Sequence, residues 1–370
     1  MKNIHEYSSN IFISIQVSIF YYTYISIEAI YISPCATWNT VGITIIGTNS
    51  PGNASNQLNV PQGMFLHQQN NTIYVADTNN RRIQMFSLDS TSSTAITVAS
   101  NIDSMSAIYV DDNGLTMYVA LRYENRIEKW IKSGVNGEQV GNQCKQCTGV
   151  WLDNEKNVYM TESGTHSVLR WSVETNTSTV VAGRIDAHGS TSDHLYFPRG
   201  IYMNRLNNVF YITDMRNNRI QKLNMNSQES ITVAGSKDGI SGYDNSKLAS
   251  PIHVWVNEES DVIYIADSEN NRIQRWLPNA LIGNTIAGGA GRGDANNQLS
   301  SPNALAFDNL GNLYVCDGNN HRIQMFQLIG NQTCPIIINC SYSLFKKIPT
   351  ISINTIMFLS LMMLIDIRFN

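Results

Sequence analysis

The stretch Ile73–Phe86 has the sequence IYVADTNNRRIQMF, and it returns at Ile263–Trp276 as IYIADSENNRIQRW. Two further copies are Leu313–Phe326, LYVCDGNNHRIQMF, and Phe210–Leu223, FYITDMRNNRIQKL. A repeated segment of this kind is one structural unit, because a single copy cannot shield its own apolar faces. The recurrence therefore decides the fold before any other feature of the chain is considered.

Counting the units starts from the tyrosine that each copy contains. Two weaker copies are centred on Tyr118 and Tyr159, and the repeat tyrosines are then Tyr74, Tyr118, Tyr159, Tyr211, Tyr264 and Tyr314. Their spacings are 44, 41, 52, 53 and 50 residues. Units of this length with four short strands are typical of propeller blades. The sequence predicts an all-β fold, a six-bladed β-propeller of four-stranded antiparallel blades.

Each unit has the same internal order. A short apolar strand comes first, the tyrosine strand runs into Asp, and an Asn-rich loop leads to Arg-Ile-Gln in a third strand. A fourth strand ends in Val-Ala-Gly or a related sequence, as at Val181–Gly183 and Val233–Gly235. Both alternating faces of the middle strands are apolar, which is expected where a neighbouring blade covers each face.

The Asp and the Arg five residues later are the main charged residues of the repeat. The loop between them folds the chain back, so we expect a charge-assisted pair that holds the hairpin rather than a charged ligand surface. Blade 2 has Leu121 in place of the Asp, which leaves Arg126 to find another partner such as Glu124, and blade 3 has Glu162 facing Ser167. The four predicted pairs are Asp77 with Arg82, Asp214 with Arg219, Asp267 with Arg272, and Asp317 with Arg322.

On these residues the chain resembles the NHL-repeat family, and the match runs from Thr37 to Leu328 with four strong copies out of six. The resemblance implies a closed ring of six blades, usually joined by strands from both ends of the chain. The last repeat stops after its third strand, and Val41–Gly47 has the pattern of an unaccompanied fourth strand. We therefore predict that this segment completes blade 6 and removes its exposed sheet edge.

Six cysteines flank or interrupt the repeats. Cys35 precedes the closing strand by six residues and Cys334 follows Leu328 by six, so we expect a bridge between them, with Cys340 as the rival partner. Cys144 and Cys147 have metal or redox spacing but lack a second ligand pair, which favours a small local disulfide. Cys316 replaces Ala in its strand and is expected to be a buried free thiol.

The ends of the chain divide it into three parts. Residues 1–34 contain an uncharged stretch from Ser8 to Ile27 that fits a signal peptide or signal anchor, or else a poorly ordered extension. Residues 35–334 are the propeller, and residues 335–370 form a hydrophobic tail. Glycosylation sequons and cysteines favour an extracellular or cell-surface location, although Lys346 and Lys347 conflict with a membrane anchor. The candidate glycosylation sites are Asn53, Asn70, Asn176, Asn331 and Asn339.

Composition limits the choice of partner. Charged residues are only 15%, the net charge is −4, and no basic stripe is present, so a nucleic-acid partner is not expected. The loops between blades are short around Asn101–Ser106 and Gly141–Gly149, which lowers the surface over blades 2 and 3 and offers a docking place. We predict a non-catalytic, monomeric propeller that binds an unidentified protein or small ligand on one face, with no cofactor or metal. The membrane is a partner only through the terminal segments.

Two other classes of function are considered because propellers of similar architecture have them. Some are zinc lyases of peptidyl-hydroxyglycine with three histidine ligands, yet only His253 lies near a strand start where such a ligand is expected. Others are calcium-dependent lactonases, for which Asn303 and Asp112 are the only suggestions. The third class, intracellular adaptor or RNA-binding propellers fused to RING and B-box regions, fits least, since these regions are absent from this sequence.

Overall fold

The structure is a computed structural model that describes residues 32–89, 94–225, 229–332 and 334. These residues form six four-stranded antiparallel sheets arranged as the blades of a ring, which confirms the predicted all-β, six-bladed propeller. The predicted signal segment up to residue 31 and the tail from residue 335 lie outside the described residues. Within those residues, no helix has the length and apolar character needed to cross a membrane.

The strands follow one another blade by blade. Two strands precede the first blade, β1 (Thr37–Trp38) and β2 (Ile43–Gly47). Blades 1 to 3 comprise β3 (Gly63–His67), β4 (Thr72–Asp77), β5 (Arg82–Ser87), β6 (Ile96–Ser100), β7 (Met105–Val110), β8 (Thr116–Leu121), β9 (Arg126–Ile131), β10 (Glu138–Val140), β11 (Cys147–Leu152), β12 (Val158–Glu162), β13 (Ser167–Ser172) and β14 (Thr177–Gly183). Blades 4 to 6 and the last strand comprise β15 (Pro198–Asn204), β16 (Val209–Asp214), β17 (Arg219–Asn224), β18 (Glu229–Gly235), β19 (Pro251–Val256), β20 (Ile263–Asp267), β21 (Arg272–Trp276), β22 (Asn284–Gly288), β23 (Pro302–Phe307), β24 (Leu313–Asp317), β25 (Arg322–Phe326) and β26 (Leu328–Gly330). Short 3-10 turns cover Thr78–Asn80, Met215–Asn217 and Gly318–Asn320.

The hydrophobic core lies between the blades rather than within them. The described residues form six clusters of buried apolar side chains, one for each pair of neighbouring blades. In blade 1, Ile73 and Val75 belong to the cluster shared with blade 6, while Tyr74 and Ala76 belong to the one shared with blade 2. Alternate residues of one strand thus pack on opposite neighbours, which is why the middle strands are apolar on both faces.

The ring closes as predicted. Strand β2 pairs antiparallel with β25, placing Ile46 opposite Ile323 and Gly47 opposite Arg322, so the N-terminal strand is the fourth strand of blade 6. A second pairing joins β1 to β26, and the Trp38 indole donates to the carbonyl of Gly311 at 2.8 Å. These contacts satisfy the backbone groups that an open ring would expose at its edge.

The fourth strand of a blade ends in glycine because the backbone there adopts a positive φ and lies close to the neighbouring strand. Gly47, Gly183, Gly235 and Gly288 have φ values of +92°, +76°, +79° and +69°. A Cβ at these positions would lie between 2.1 and 2.5 Å from the carbonyl oxygen of the residue before the paired third strand. The Val-Ala-Gly pattern therefore marks a close approach of two chains that a side chain would block.

The Asp–Arg pairs do more than hold the hairpin. In blade 6, Arg322 Nε donates to Asp317 Oδ2 at 2.8 Å, and its remaining nitrogens donate to the carbonyls of Asp294, Ala295 and Gln298. The other Asp317 oxygen accepts from the backbone of Ser300 at 2.7 Å. The pair thus fastens the long loop that precedes its own blade, and the same arrangement occurs in blades 1, 4 and 5.

Blades 2 and 3 lack this arrangement because their preceding loops are short. Arg126 bonds Glu128 Oε1 at 2.7 Å and Glu124 Oε2 at 3.1 Å instead of an aspartate at the end of β8. In blade 3, Glu162 accepts from Thr165 at 2.7 Å, and no guanidinium is needed. The pair is therefore present in the four blades with a long loop to fasten and absent from the two blades without one.

Candidate functional site

The central channel of the ring holds a cavity of about 290 Å³. The first strand of each blade lines it, so all six blades contribute to one site. One end of the channel, here called the entrance, is the end where the first strands begin and where the 3-10 turns and between-blade loops lie. A cavity of this size is within reach of a small organic molecule.

A belt of aromatic rings surrounds the middle of the cavity. Its members sit at one register position, opposite the repeat tyrosine of their own blade, and are Phe65, Tyr109, Trp151, Tyr202 and Trp255. Successive ring centroids are 5.0, 5.1, 4.6 and 6.2 Å apart. These are ordinary distances for aromatic pairs, so the rings support one another and keep fixed positions around the channel.

Blade 6 leaves a gap in this aromatic belt. Ala306 occupies the equivalent position opposite Tyr314. The neighbouring Phe307 is fully buried, and its ring centroid lies 4.6 Å from that of Trp255. The small side chain keeps open the space that a sixth ring would fill. The channel at this level has aromatic walls on five sides and a methyl group on the sixth.

At the entrance, one residue per blade lies at or just before the start of the inner strand. In blades 2 to 6 this residue lies in a β-bulge, which re-aims its side chain relative to the regular strand. The six residues are Gln62, Ser106, Thr148, Arg199, Ile252 and Asn303. Three of them bond to a backbone carbonyl of the next blade: Ser106 to Cys147, Thr148 to Pro198, and Asn303 to Pro61, all at 3.0 Å.

Arg199 departs from this pattern. Its side chain is 9% exposed, and among residues 32–89, 94–225, 229–332 and 334 its guanidinium has no carboxylate within ion-pair distance. Its Nε is buried without a hydrogen-bond partner. Burial lowers the pKa of the Arg199 guanidinium to about 10, and the nearby Arg122 acts in the same direction. A cation is thus held at the entrance without compensation from the protein.

Three ring nitrogens of channel-lining residues are also unsatisfied. Trp151 Nε1, His67 Nδ1 and His253 Nδ1 are buried and have no hydrogen-bond partner in the described part of the chain. Burial lowers the pKa of the His253 imidazole to about 4, so this ring is neutral at pH 7. Buried polar groups are normally bonded, and several unbonded ones around one cavity point to an absent ligand or to water.

At the opposite end of the channel the charges are compensated, although the Nε of Arg205, like that of Arg199, has no hydrogen-bond partner among the described residues. Arg205 bonds the Tyr109 hydroxyl and lies 3.6 Å from Asp112, and Tyr202 donates to Glu258 Oε1 at 3.1 Å. Burial raises the pKa of Tyr109 to about 12 and raises that of Glu258. Cation, acids and phenols thus form one network at this end of the channel.

The described residues contain no group of three or more His, Cys, Asp or Glu side chains arranged to hold a metal ion. The two calcium ligands suggested from the sequence are not brought together. Asn303 lies at the entrance, while Asp112 follows the end of β7 at the opposite end beside Arg205. His253 lines the channel near the entrance. The other histidine of the lining, His67, lies at the opposite end, where β3 ends.

The family profile of the NHL repeat matches residues 299–326, a range that includes strands β23, β24 and β25 of blade 6. The chain is an NHL-repeat β-propeller. Its match to human NHL repeat-containing protein 2 has 35% identity over 104 residues, 25% of this chain and 14% of that protein. A match to Protein SUPPRESSOR OF QUENCHING 1, chloroplastic, from Arabidopsis thaliana has 26% identity over 293 residues, 73% of this chain and 25% of that protein. The NHL-repeat propeller thus spans a quarter or less of either relative.

Solved structures share the fold of this NHL-repeat propeller at low identity. An auxiliary nutrient binding protein from Bacteroides ovatus superposes with a TM-score of 0.62 and 15% identity, covering 80% of this chain and 78% of that one. A gluconolactonase from Xanthomonas campestris gives 0.57 and 12%, covering 78% and 89%. Virginiamycin B lyase from Staphylococcus aureus gives 0.53 and 14%, covering 75% and 98%. At these identities the likeness concerns the fold alone.

The other residues singled out from the sequence lie away from the channel of the NHL-repeat propeller. The Asp–Arg pairs hold loops, with Nε to carboxylate distances of 2.7 Å in blades 1 and 5 and 2.8 Å in blades 4 and 6. The sequon residues Asn53, Asn70, Asn176 and Asn331 are exposed, and Asn339 lies outside the described residues. Their glycosylation stays a prediction.

The cysteines divide into bonded and free. Cys144 and Cys147 form a disulfide, and Cys316 is a buried free thiol whose sulfur lies 3.4 Å from the Pro61 carbonyl oxygen. Cys35 and Cys334 are each in a disulfide. Their pairing with one another stays a prediction, since the rival Cys340 lies outside the described residues.

Sequence reasoning missed the aromatic belt, although its signal was present. Five of the six inner strands carry an aromatic residue one or two positions before their last residue, as in Gly63–His67 and Pro251–Val256. These residues are easily taken for core side chains, because only ring closure shows that they face a common axis. The sequence places Arg199 directly after Pro198, but the lack of a partner for its side chain depends on the assembled ring.

Proposed function

We propose that this propeller is a non-catalytic binding module that holds a small molecule with a flat apolar face in its central channel. The observation that carries the proposal is the aromatic belt around a cavity of about 290 Å³. Aromatic walls bind flat ligands by contact with their faces, and a few donors then fix the orientation. The unbonded Trp151 Nε1 is suited to that second task, as is His253 Nδ1 in the tautomer that carries the proton on this nitrogen.

Binding is favoured over catalysis by the chemistry of the lining residues. The lining has no carboxylate pair poised for acid–base work at the entrance, and its acids at the far end are engaged with Arg205 and Tyr202. The metal-dependent lyase and lactonase alternatives require donor sets that the described residues do not assemble. We therefore propose ligand binding without a chemical reaction.

The proposal is tested with phenylacetamide, a neutral aromatic probe, by calorimetric titration. We expect saturable binding at one site per chain, weakened about fivefold or more in Trp151→Ala and in Trp255→Ala, since each removes a belt ring. Tyr243→Ala is the control, because Tyr243 is an aromatic residue that is 86% exposed and does not line the channel. Equal affinity of the belt variants and the wild type would contradict channel binding.

The proposal also places the module outside the cytoplasm, as a single propeller on or beyond the cell surface. The Cys144–Cys147 disulfide and the exposed sequons support an oxidising, secretory setting. Treating the protein from its native source with an N-glycosidase should lower its mass. Asn176→Gln should remove one step of that shift, and an unshifted, fully reduced protein would contradict export.

A further inference from the structure

Buried arginines of this propeller fall into two groups. Arg219, Arg272 and Arg322 are each at most 5% exposed, and each donates to an aspartate and to three or four backbone carbonyls. Arg199 is similarly buried, yet in the described ranges no carboxylate pairs with it and its Nε has no acceptor. A buried charge without a partner is costly, so a fold retains one chiefly where a ligand supplies the opposite charge.

We propose that the channel entrance binds the carboxylate of a small organic anion, with Arg199 as the residue that receives it. This inference rests on the proposed function, because the body of the same molecule would lie against the aromatic belt. A guanidinium presents two parallel N–H groups that match the two oxygens of a carboxylate. Arg199 therefore supplies both the charge and the geometry that such a ligand requires.

Charge along the channel favours one orientation of the ligand. At the entrance, two titratable groups act on Arg199: Arg122, which is also a cation, and the phenol of Tyr123. The acidic residues of the lining, Asp112 and Glu258, lie at the opposite end. An anionic group is thus attracted to the entrance and gains little at the far end, where Arg205 is already paired with Asp112.

The spacing along the first strand of blade 4 suits a molecule of modest length. Arg199 and Tyr202 lie three residues apart on β15, roughly 10 Å for an extended strand. A ring lying on the belt and a carboxylate one or two bonds away span roughly half of that distance, which leaves the remainder to the length of the Arg199 side chain. We therefore expect aryl-alkyl carboxylates to fit, and inorganic phosphate to bind weakly because it makes no belt contact.

The test compares phenylacetate with its neutral analogue phenylacetamide by calorimetric titration of the full chain at constant ionic strength. We expect the wild type to bind the acid about tenfold more tightly, the effect of one charged hydrogen-bonded pair. Arg199→Met should bring the two affinities within about twofold, and Arg122→Met should reduce the ratio partially. Arg216→Met, an exposed arginine on the same face, is the matched control and should keep the wild-type ratio.

The stability of the variant provides a second measurement that needs no ligand. Arg199→Met removes an uncompensated charge, so its Tm without ligand should be equal to or about 1–3 °C above that of the wild type. A clear drop in Tm would show that Arg199 stabilises the fold through the protein itself and would overturn the inference.

The remaining outcomes separate this inference from the proposed function. Equal binding of acid and amide by the wild type would overturn the anion site and leave channel binding intact. Binding of inorganic phosphate as tight as that of phenylacetate, unchanged in Trp151→Ala, would overturn the aryl carboxylate class. Binding of neither aromatic probe would overturn both proposals.

Discussion

The two ends of the channel use arginine in opposite ways. At the far end, Arg205 contacts a phenol and a carboxylate, and the acids and tyrosines around it form one network. At the entrance, Arg199 is more deeply buried than Arg205, yet no carboxylate among the described residues pairs with it. Its charged neighbour is another arginine, Arg122. The difference indicates that the paired charges of the far end contribute to the stability of the ring, whereas the entrance retains an unpaired charge that a ligand can use.

The largest effect is expected from breaking the far network with Arg205→Met. Tyr109 loses its hydroxyl partner, and Asp112 and Glu258 lose the cation near them. The free energy of unfolding should fall by about 2 kcal/mol, because partly buried polar groups are left unpaired. Chemical denaturation measures the change. A loss no larger than that of Arg199→Met would remove the distinction between the two ends.

An intermediate effect is expected at the entrance when the pH is lowered. The pKa of His253 is about 4 in the folded protein and about 6.5 when the chain is unfolded. As the pH falls below 6.5, the unfolded state binds a proton that the folded state refuses, so stability is lost until the pH passes below 4. Between pH 7 and pH 5 this amounts to about 1–2 kcal/mol, and His253→Gln should lack it. Identical pH profiles of variant and wild type would contradict the burial of this ring.

The smallest effect separates a bonded hydroxyl from an unbonded one. Tyr202→Phe removes the donor to Glu258 at the far end and should cost about 1 kcal/mol. Tyr264→Phe is its matched control, because the buried Tyr264 hydroxyl has no partner among the described residues. That variant should be unchanged or slightly more stable in urea denaturation. Equal losses in both variants would show that ring packing, and not the network, determines the result.

The fold could be predicted from the sequence because the length and the strand pattern of the repeat can be read directly from its copies. Six copies fixed the number of blades, and the missing fourth strand after Phe326 had one complementary segment, β2. The loop-fastening role of Arg322 was not foreseen, since it depends on which carbonyls a long loop presents to the guanidinium.

The candidate site could be predicted only in part. Belt residues such as Trp151 and Trp255 occur where apolar core residues also occur, and alternation alone cannot tell a channel from a blade interface. The absence of a partner for Arg199 is a property of the assembled ring, in which strands distant along the chain meet. Such absences become visible only when all neighbours of a side chain are known.

Ring closure also has a consequence for the order in which the protein is made. Ile46 and Ile323 face each other in blade 6 although they are 277 residues apart, so β2 leaves the ribosome long before its partner exists. Contacts at such sequence separation form slowly, and an unpaired strand edge favours aggregation while it waits. We expect the closing strand to be the step at which chaperones matter most during synthesis of this protein.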